Sequence, residues 1–333
     1  MTRVAVVGGG AWGTVLADLL ARKGDAVTLW AREPEVAEGI NREHVNHLFL
    51  PRAPLAPALR ATSDLAAAVP DAEVVVSAAP SHAVRAVMLE VVRSVTGKPL
   101  VVSVSKGLEP ERLGTLSSVL AEVFGAATPV AVLSGPSFAQ EVFQGQPTAV
   151  VAAADDEAIA RRVQRVFSGG HFRVYSSTDV VGVELGGALK NVIALAAGIL
   201  EGLGLGHNTR AALITRGLAE ITRLGAALGA DPMTFAGLTG MGDLILTATG
   251  SLSRNRTLGV DLGKGKTLEQ SQAGKQSVAE GVLTARAAVA LGERHNVELP
   301  IAQEVSAILF DGKSPRRAIA DLMDRELKAE QWR

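Results

Sequence analysis

The chain has 333 residues, enough for two domains at roughly 150 residues each, and 47% of them are hydrophobic against 4% aromatic, which excludes disorder and predicts a core of Ala, Val, Leu and Ile. Its 33 basic and 34 acidic residues leave a formal charge of −1, which argues against a global basic footprint for nucleic acid or an anionic membrane. Cysteine is absent, excluding disulfides, thiolate catalysis and iron–sulfur clusters, and six scattered histidines with no His-x-x-x-His pair predict no metal site.

The start of the chain has Arg3 before an apolar run, as a secretion signal would, but Gly8, Gly9 and Gly10 break it. The longest other apolar stretch, Val192 to Leu205, is interrupted by Glu201 and is too short to span a bilayer. No membrane insertion and a cytoplasmic location are therefore expected. In chain order, Val4 to Val7 reads as a strand, Ala11 to Lys23 as a helix, Ala26 to Trp30 as a strand and Pro34 to Arg42 as a helix. A loop through Pro51, Pro54 and Pro57 follows. Val74 to Val76, Leu100 to Val102 and Val130 to Leu133 read as buried strands, and Ala149 to Ala152 and Phe172 to Tyr175 flank an amphipathic helix at Glu157 to Phe167. Continuous apolar runs separated by helices predict an α/β domain with a mostly parallel, doubly wound sheet covered on both faces.

After Tyr175 the pattern holds helices and glycine-containing loops, so residues 1–177 are expected to form the α/β domain and residues 178–333 an all-α domain. Asp231-Pro232 and Ser314-Pro315 each place a capping oxygen before a proline at the first helical position. Behind Pro315, one helical stripe carries Ala318, Ile319, Leu322 and Met323.

Gly8-Gly9-Gly10-Ala11-Trp12-Gly13 follows the first strand and opens a helix, the setting in which G-x-G-x-x-G binds a dinucleotide. In a Rossmann-type domain Gly8 permits the turn, Gly10 lets amides approach a pyrophosphate, and Gly13 lets helix and strand pack closely. The helix start offers unpaired N–H groups to the phosphates. The second strand ends Leu29-Trp30-Ala31-Arg32, with an acid only at Glu33. A guanidinium at Arg32 suits a 2′-phosphate, favouring NADP or use of both NAD and NADP, unless Arg32 is a solvated surface residue.

Lys106, in Ser105-Lys106-Gly107, lies past the end of a strand, where ligands collect in such sheets, though an ordinary loop lysine would sit there too. Lys190 lies in a stretch from Val183 to Leu195 that is apolar around almost its whole circumference, so the helix is buried and its ammonium must snorkel, pair or face a polar cavity. Its same-face neighbours Gly186, Gly187, Ala194 and Ala197 are small, which reads as room beside a proton donor. Asp243 could cap the helix it precedes or pair with Lys190. Ser253, Arg254 and Asn255 open a further helix, as an oxyanion site or as a plain cap with surface charge.

Seven ordered motifs together resemble the bacterial NAD(P)-dependent glycerol-3-phosphate dehydrogenases over essentially the whole chain. They are Gly8 to Thr14, Ser105 to Gly107, Leu133 to Ala139, Glu184 to Asn191, Gly240 to Leu244, Ser253 to Asn255 and Val278 to Gly281. The resemblance implies reversible reduction of dihydroxyacetone phosphate to sn-glycerol 3-phosphate for phospholipid synthesis, and a homodimer. It implies that Lys190 is the proton acceptor in oxidation and that Lys106, Gly135, Ser137, Asp243, Ser253, Arg254 and Asn255 contact substrate. Cofactor positions by the same resemblance are Ala11, Trp12, Arg32, Phe49, Lys106, Ala139, Arg254, Val278 and Glu280. Phe49 stands where relatives often have tyrosine.

A lysine ammonium suits protonation of the oxygen left when hydride reaches a ketone carbon, whereas oxidation needs the neutral amine. Burial and Lys106 should lower the Lys190 pKa and Asp243 should raise it. Two other readings compete: a related two-domain dehydrogenase of hydroxy acids or sugar acids, and a non-catalytic dinucleotide-binding redox sensor. Of the 35 glycines, 21 follow residue 177, where a helix interior pays up to about 1 kcal/mol for each. Gly186, Gly187, Gly240, Gly242 and Gly250 are therefore read as space around Lys190, Asp243 and Arg254.

Overall fold

Among the residues that the computed structural model describes (1–273, 279–327 and 329–330), eight strands form one sheet. They are β1 (Arg3–Val7), β2 (Ala26–Trp30), β3 (Arg60–Thr62), β4 (Val74–Ser77), β5 (Leu100–Ser103), β6 (Val130–Ser134), β7 (Thr148–Ala153) and β8 (Phe172–Ser177). The order is β3-β2-β1-β4-β5-β6-β7-β8, and the first six strands are parallel. That is the 3-2-1-4-5-6 arrangement of dinucleotide-binding sheets. β7 pairs antiparallel to β6, with Leu133 opposite Ala152, and β8 is parallel to β7. The apolar runs announced these strands but not the reversal, because a fully buried strand reads alike in either direction. β3 is the strand the sequence pattern misses: three residues on the sheet's edge behind the proline-rich loop.

Helices α1 (Ala11–Arg22), α2 (Pro34–Glu43), α3 (Leu65–Ala68), α4 (Val84–Ser94), α5 (Leu116–Phe124), α6 (Ala139–Phe143) and α7 (Glu157–Phe167) accompany the sheet. Alternate side chains choose faces: Val4, Val6, Val74, Val76 and Leu133 share a core with Leu16 and Val163, while Ala5, Val7, Val75 and Val101 pack with Met88 and Leu120. Beyond Ser177 the described chain is helical, with α8 (Val180–Gly202), α9 (His207–Ala227), α10 (Pro232–Phe235), α11 (Asp243–Thr249), α12 (Arg254–Gly263), α13 (Leu268–Gln272), α14 (Glu280–His295), α15 (Pro300–Phe310) and α16 (Pro315–Met323). Asp231 and Ser314 cap α10 and α16 through Met233 and Arg317 N–H, as their sequence contexts predict. The stripe behind Pro315 is shorter than expected: Ala318 is buried, but Met323 is 78% exposed at the helix end.

α8 is long and apolar enough to cross a membrane, yet it is buried inside the molecule. Glycine makes this possible. A Cβ on Gly198 would lie 2.0 Å from Arg256 O, and one on Gly259 would lie 2.1 Å from Leu195 O. One turn further, a Cβ on Gly202 would sit 2.4 Å from Val260 O and one on Gly263 the same distance from Ile199 O. α8 and α12 therefore cross backbone to backbone through two glycines on each.

A second device fastens α9 to α15. Glu220, 3% exposed, accepts the N–H groups of Ile301 at 2.8 Å and Ala302 at 3.3 Å, in a first turn with no side-chain cap of its own. Burial raises its carboxyl to about 7, against those two bonds and Arg223. An unfolded glutamate titrates near pH 4.3. Between those values the folded chain holds a proton the unfolded chain has lost, so stability contributed below about pH 4.3 is lost as pH rises to about 7. Glu220→Gln should therefore gain in melting temperature relative to the parent as pH rises from about 4.3 to 7. A pH-independent difference between the two would contradict this.

Candidate active site

The phosphate turn lies at the carboxyl ends of β1 and β4, where the strand order reverses. Gly8 takes φ +134°, donates its N–H to Trp30 O at 3.0 Å, and a Cβ there would be 2.6 Å from the Ala78 carbonyl. A Cβ on Gly13 would be 2.0 Å from Gly8 O, whereas one on Gly10 would meet no atom within 4 Å. Gly10 caps α1 without a side-chain hydrogen bond, so the helix start faces open space. A pyrophosphate fits there: two glycines draw helix and strand together, and the third leaves the approach clear.

Asn46 is a contributor that no sequence pattern marks. Fully buried, it donates to Gly9 O at 2.8 Å and Thr14 Oγ1 at 2.9 Å, and accepts the Phe49 N–H at 3.0 Å. It thereby ties the glycine turn to Phe49. Ala11 and Trp12 open α1, with the Trp12 ring centroid 6.3 Å from that of Phe172, and Ala139 opens α6. Arg32 is 84% exposed on its side chain and bonded to Glu33. Glu280, at the start of α14, accepts from Ser81 N–H and Ser81 Oγ, joining the helical region to the segment after β4. Val278 lies outside the described residues.

Lys106 follows β5, and its Nζ donates to Gly135 O at 2.7 Å, Ser137 Oγ at 3.3 Å and Asp243 Oδ2 at 2.8 Å. Gly135, at φ +138°, packs against Val150 after β6 and thereby aims its carbonyl. The other Asp243 oxygen meets Lys190 Nζ, which also donates to Thr247 Oγ1 at 2.9 Å. Thr247 in turn donates to Asp243 O at 2.6 Å, one helical turn back. Asp243 therefore starts α11 but does not cap it; its carboxylate lies between the two lysines. No sequence signature marks a mid-helix threonine such as Thr247.

Burial drives the Lys190 pKa down to about 7; Asp243 resists and Lys106 adds to the fall. The opposing effects read from sequence resolve this way because burial is the largest of them, and Asp243 divides its attraction between two lysines. Burial by itself would raise the Asp243 carboxyl, but Lys106 and Lys190 together hold it below the usual range.

The start of α12 is more engaged than expected. Ser253 Oγ accepts the Arg256 N–H at 3.2 Å as N-cap, and Asn255 is buried. Asn255 Oδ1 accepts from Gly281 N–H at 3.0 Å while its Nδ2 donates to Asn191 Oδ1 at 2.9 Å. Arg254 alone of the three is exposed. The glycines also differ from the reading as open space. A Cβ on Gly186 would lie 2.6 Å from Thr239 O, one on Gly187 2.6 Å from Ser134 Oγ, and one on Gly240 2.1 Å from Phe235 O. One on Gly250 would strike the Phe138 ring at 2.5 Å. Of the five, Gly242 has the loosest surroundings, with its nearest atom at 3.6 Å. The space they make is filled by protein, which brings the segments carrying Lys190 and Asp243 into contact.

An amine brought to near neutrality and tied through Asp243 to Lys106, which follows β5 at the same carboxyl end of the sheet as a pyrophosphate-shaped turn, is what a nicotinamide-dependent dehydrogenase of alcohols and ketones requires. Comparison with known proteins narrows this class. The profile described as NAD-dependent glycerol-3-phosphate dehydrogenase N-terminus matches residues 3–160, and the corresponding C-terminus profile matches residues 179–320. Glycerol-3-phosphate dehydrogenase [NAD(P)+] of Geobacter sulfurreducens is 54% identical over 332 residues, 99% of each chain. That of Koribacter versatilis is 52% identical over the full length of both. The crystal structure of glycerol-3-phosphate dehydrogenase from Coxiella burnetii superposes with a TM-score of 0.93 at 38% identity, covering 97% of this chain and 99% of the other. The chain belongs to the NAD-dependent glycerol-3-phosphate dehydrogenase family.

Proposed function

We propose that the chain catalyses reversible hydride transfer between NAD(P)H and dihydroxyacetone phosphate, yielding sn-glycerol 3-phosphate for phospholipid synthesis. The observation that carries this is Lys190, buried against Asp243 with its pKa brought to about 7 and linked through it to Lys106, at the carboxyl end of a sheet whose glycine turn is shaped for a dinucleotide. The dinucleotide, when bound, supplies or takes the hydride. Lys190 Nζ gives the proton to the carbonyl oxygen in reduction and takes it back in oxidation. Asp243 holds Lys190 and Lys106 in place, and Gly135 and Ser137 steer Lys106. While Lys190 is protonated, two ammoniums around one carboxylate give the site a net positive charge that draws a phosphorylated substrate.

Arg254, exposed at a helix start, takes the phosphate, and Ser253 and Asn255 hold that start in position. Gly8, Gly10, Ala11, Trp12 and Gly13 hold the pyrophosphate end of the cofactor. Arg32, Phe49, Lys106, Ala139, Arg254, Val278 and Glu280 complete its contacts. Residues 1–177 act as the dinucleotide-binding unit and residues 178–333 as the substrate unit, in a cytoplasmic homodimer able to use NAD or NADP. Purified protein should oxidise NADH or NADPH when given dihydroxyacetone phosphate. Turnover with a sugar acid or hydroxy acid and none with dihydroxyacetone phosphate would replace this reading with the related-dehydrogenase one.

A further inference from the structure

The carboxyl end of β2 abuts the phosphate turn. A Cβ on Gly9 would lie 2.5 Å from the Ala31 Cβ, and the Gly8 N–H already bonds Trp30 O. The residues after Ala31 therefore border the place where this fold puts the adenosine ribose of a dinucleotide. Ala31 is fully buried and brings no polar side-chain atom, so recognition there falls to Arg32 and Glu33. A carboxylate at this place accepts a bond from the ribose 2′-hydroxyl of NAD, and an arginine takes the 2′-phosphate of NADP.

Here both are present, and they are bonded to each other. Arg32 Nε and Nη2 both donate to Glu33 Oε1, at 3.0 and 2.7 Å. The two partners are unequally held. Glu33 is the N-cap residue of α2, followed by Pro34 in the first turn, and its side chain is 20% exposed against 84% for Arg32. The carboxylate makes no cap bond to α2 but is the more buried group and lies at a helix start that favours its charge, and the exposed guanidinium is the one with room to move.

We propose that Glu33 sets the balance between NAD and NADP by competing with the cofactor for Arg32. This rests on the reading of the chain as a dinucleotide-dependent dehydrogenase. A 2′-phosphate must draw the guanidinium away from Glu33 and then lie beside the carboxylate left behind, so both effects oppose NADP. NAD meets neither penalty. Both guanidinium bonds fall on one oxygen, and Oε2 is left to accept a ribose hydroxyl while Arg32 stays where it is. The exposed arginine by itself would mark an NADP enzyme; paired with Glu33 it makes one that accepts either.

The test is calorimetric titration of NAD+ and NADP+ into the folded chain and into Glu33→Gln, Arg32→Ala and the double variant. Glu33→Gln should raise the ratio of NADP+ to NAD+ affinity about tenfold, the change expected when a charge-assisted bond no longer competes. Arg32→Ala should weaken NADP+ about tenfold or more and NAD+ far less. In the Arg32→Ala background the Glu33→Gln change should shrink, because much of its effect passes through the guanidinium. A ratio in Glu33→Gln within about twofold of the parent, with both dinucleotides still binding, overturns the role of Glu33 and leaves the dehydrogenase reading intact. If neither dinucleotide binds the parent, both fall together.

Discussion

Lys190→Ala is expected to slow reduction of dihydroxyacetone phosphate by about 10²- to 10⁴-fold, the range a positioned general acid supplies, while NADH still binds. The substitution leaves Asp243 paired with Lys106, so no buried carboxylate is stranded and the fold should survive. The pH dependence gives the assignment its sign. Reduction needs the ammonium, so its kcat/KM should fall above about pH 7; oxidation needs the free amine, so its kcat/KM should rise through about the same value. Lys190→Arg separates charge from proton transfer, because a guanidinium stays protonated throughout the working pH range and so keeps the charge but cannot take a proton. Oxidation should be lost with it. Near-parental reduction by Lys190→Ala, or flat profiles around pH 7, would remove Lys190 from its role.

The second large effect is structural. Gly198→Ala should destabilise the chain by about 3 kcal/mol or more, measured by chemical denaturation. Helix propensity alone predicts the opposite sign, a gain of about 1 kcal/mol for replacing glycine by alanine in a helix interior. Contact wins because the new Cβ would sit 2.0 Å from Arg256 O, a backbone atom that moves only if α8 and α12 separate. Gly206→Ser is the control: that glycine caps α9 with no atom within 4 Å of its would-be Cβ, so the change should stay within about 0.5 kcal/mol. Parental stability in Gly198→Ala would contradict the close crossing. The crossing also matters to the site, since α8 carries Lys190 and α12 begins at Arg254.

The glycines show where a sequence reading reaches and where it stops. Gly8, Gly10 and Gly13 were legible because their task is local: a strand, a turn and a helix start within a dozen residues. Gly186, Gly240 and Gly250 read as space around Lys190, Asp243 and Arg254, but protein fills that space: Thr239 and Phe138, far along the chain, against Gly186 and Gly250, and the Phe235 carbonyl five residues back against Gly240. The glycine pairs of α8 and α12 carry no legible signal by themselves, since spacing of four on one helix acquires meaning only opposite its partner. Asn46 and Thr247 carry no local pattern at all.

The amino-acid sequence by itself determined the parallel strands other than β3, their helices, the phosphate turn, the buried helix around Lys190 and the family resemblance. Each of these depends on periodicity or on neighbours a few positions apart. Tertiary structure alone decided the reversal of β7, the backbone-to-backbone crossing of α8 and α12, and the sharing of Asp243 between two lysines. Lys106 lies 137 positions from Asp243, and no local pattern states that distance. The consequence is electrostatic: whether Lys190 sits near 10 or near 7 depends on how much water and how many charges surround it, and those are set by the packed molecule.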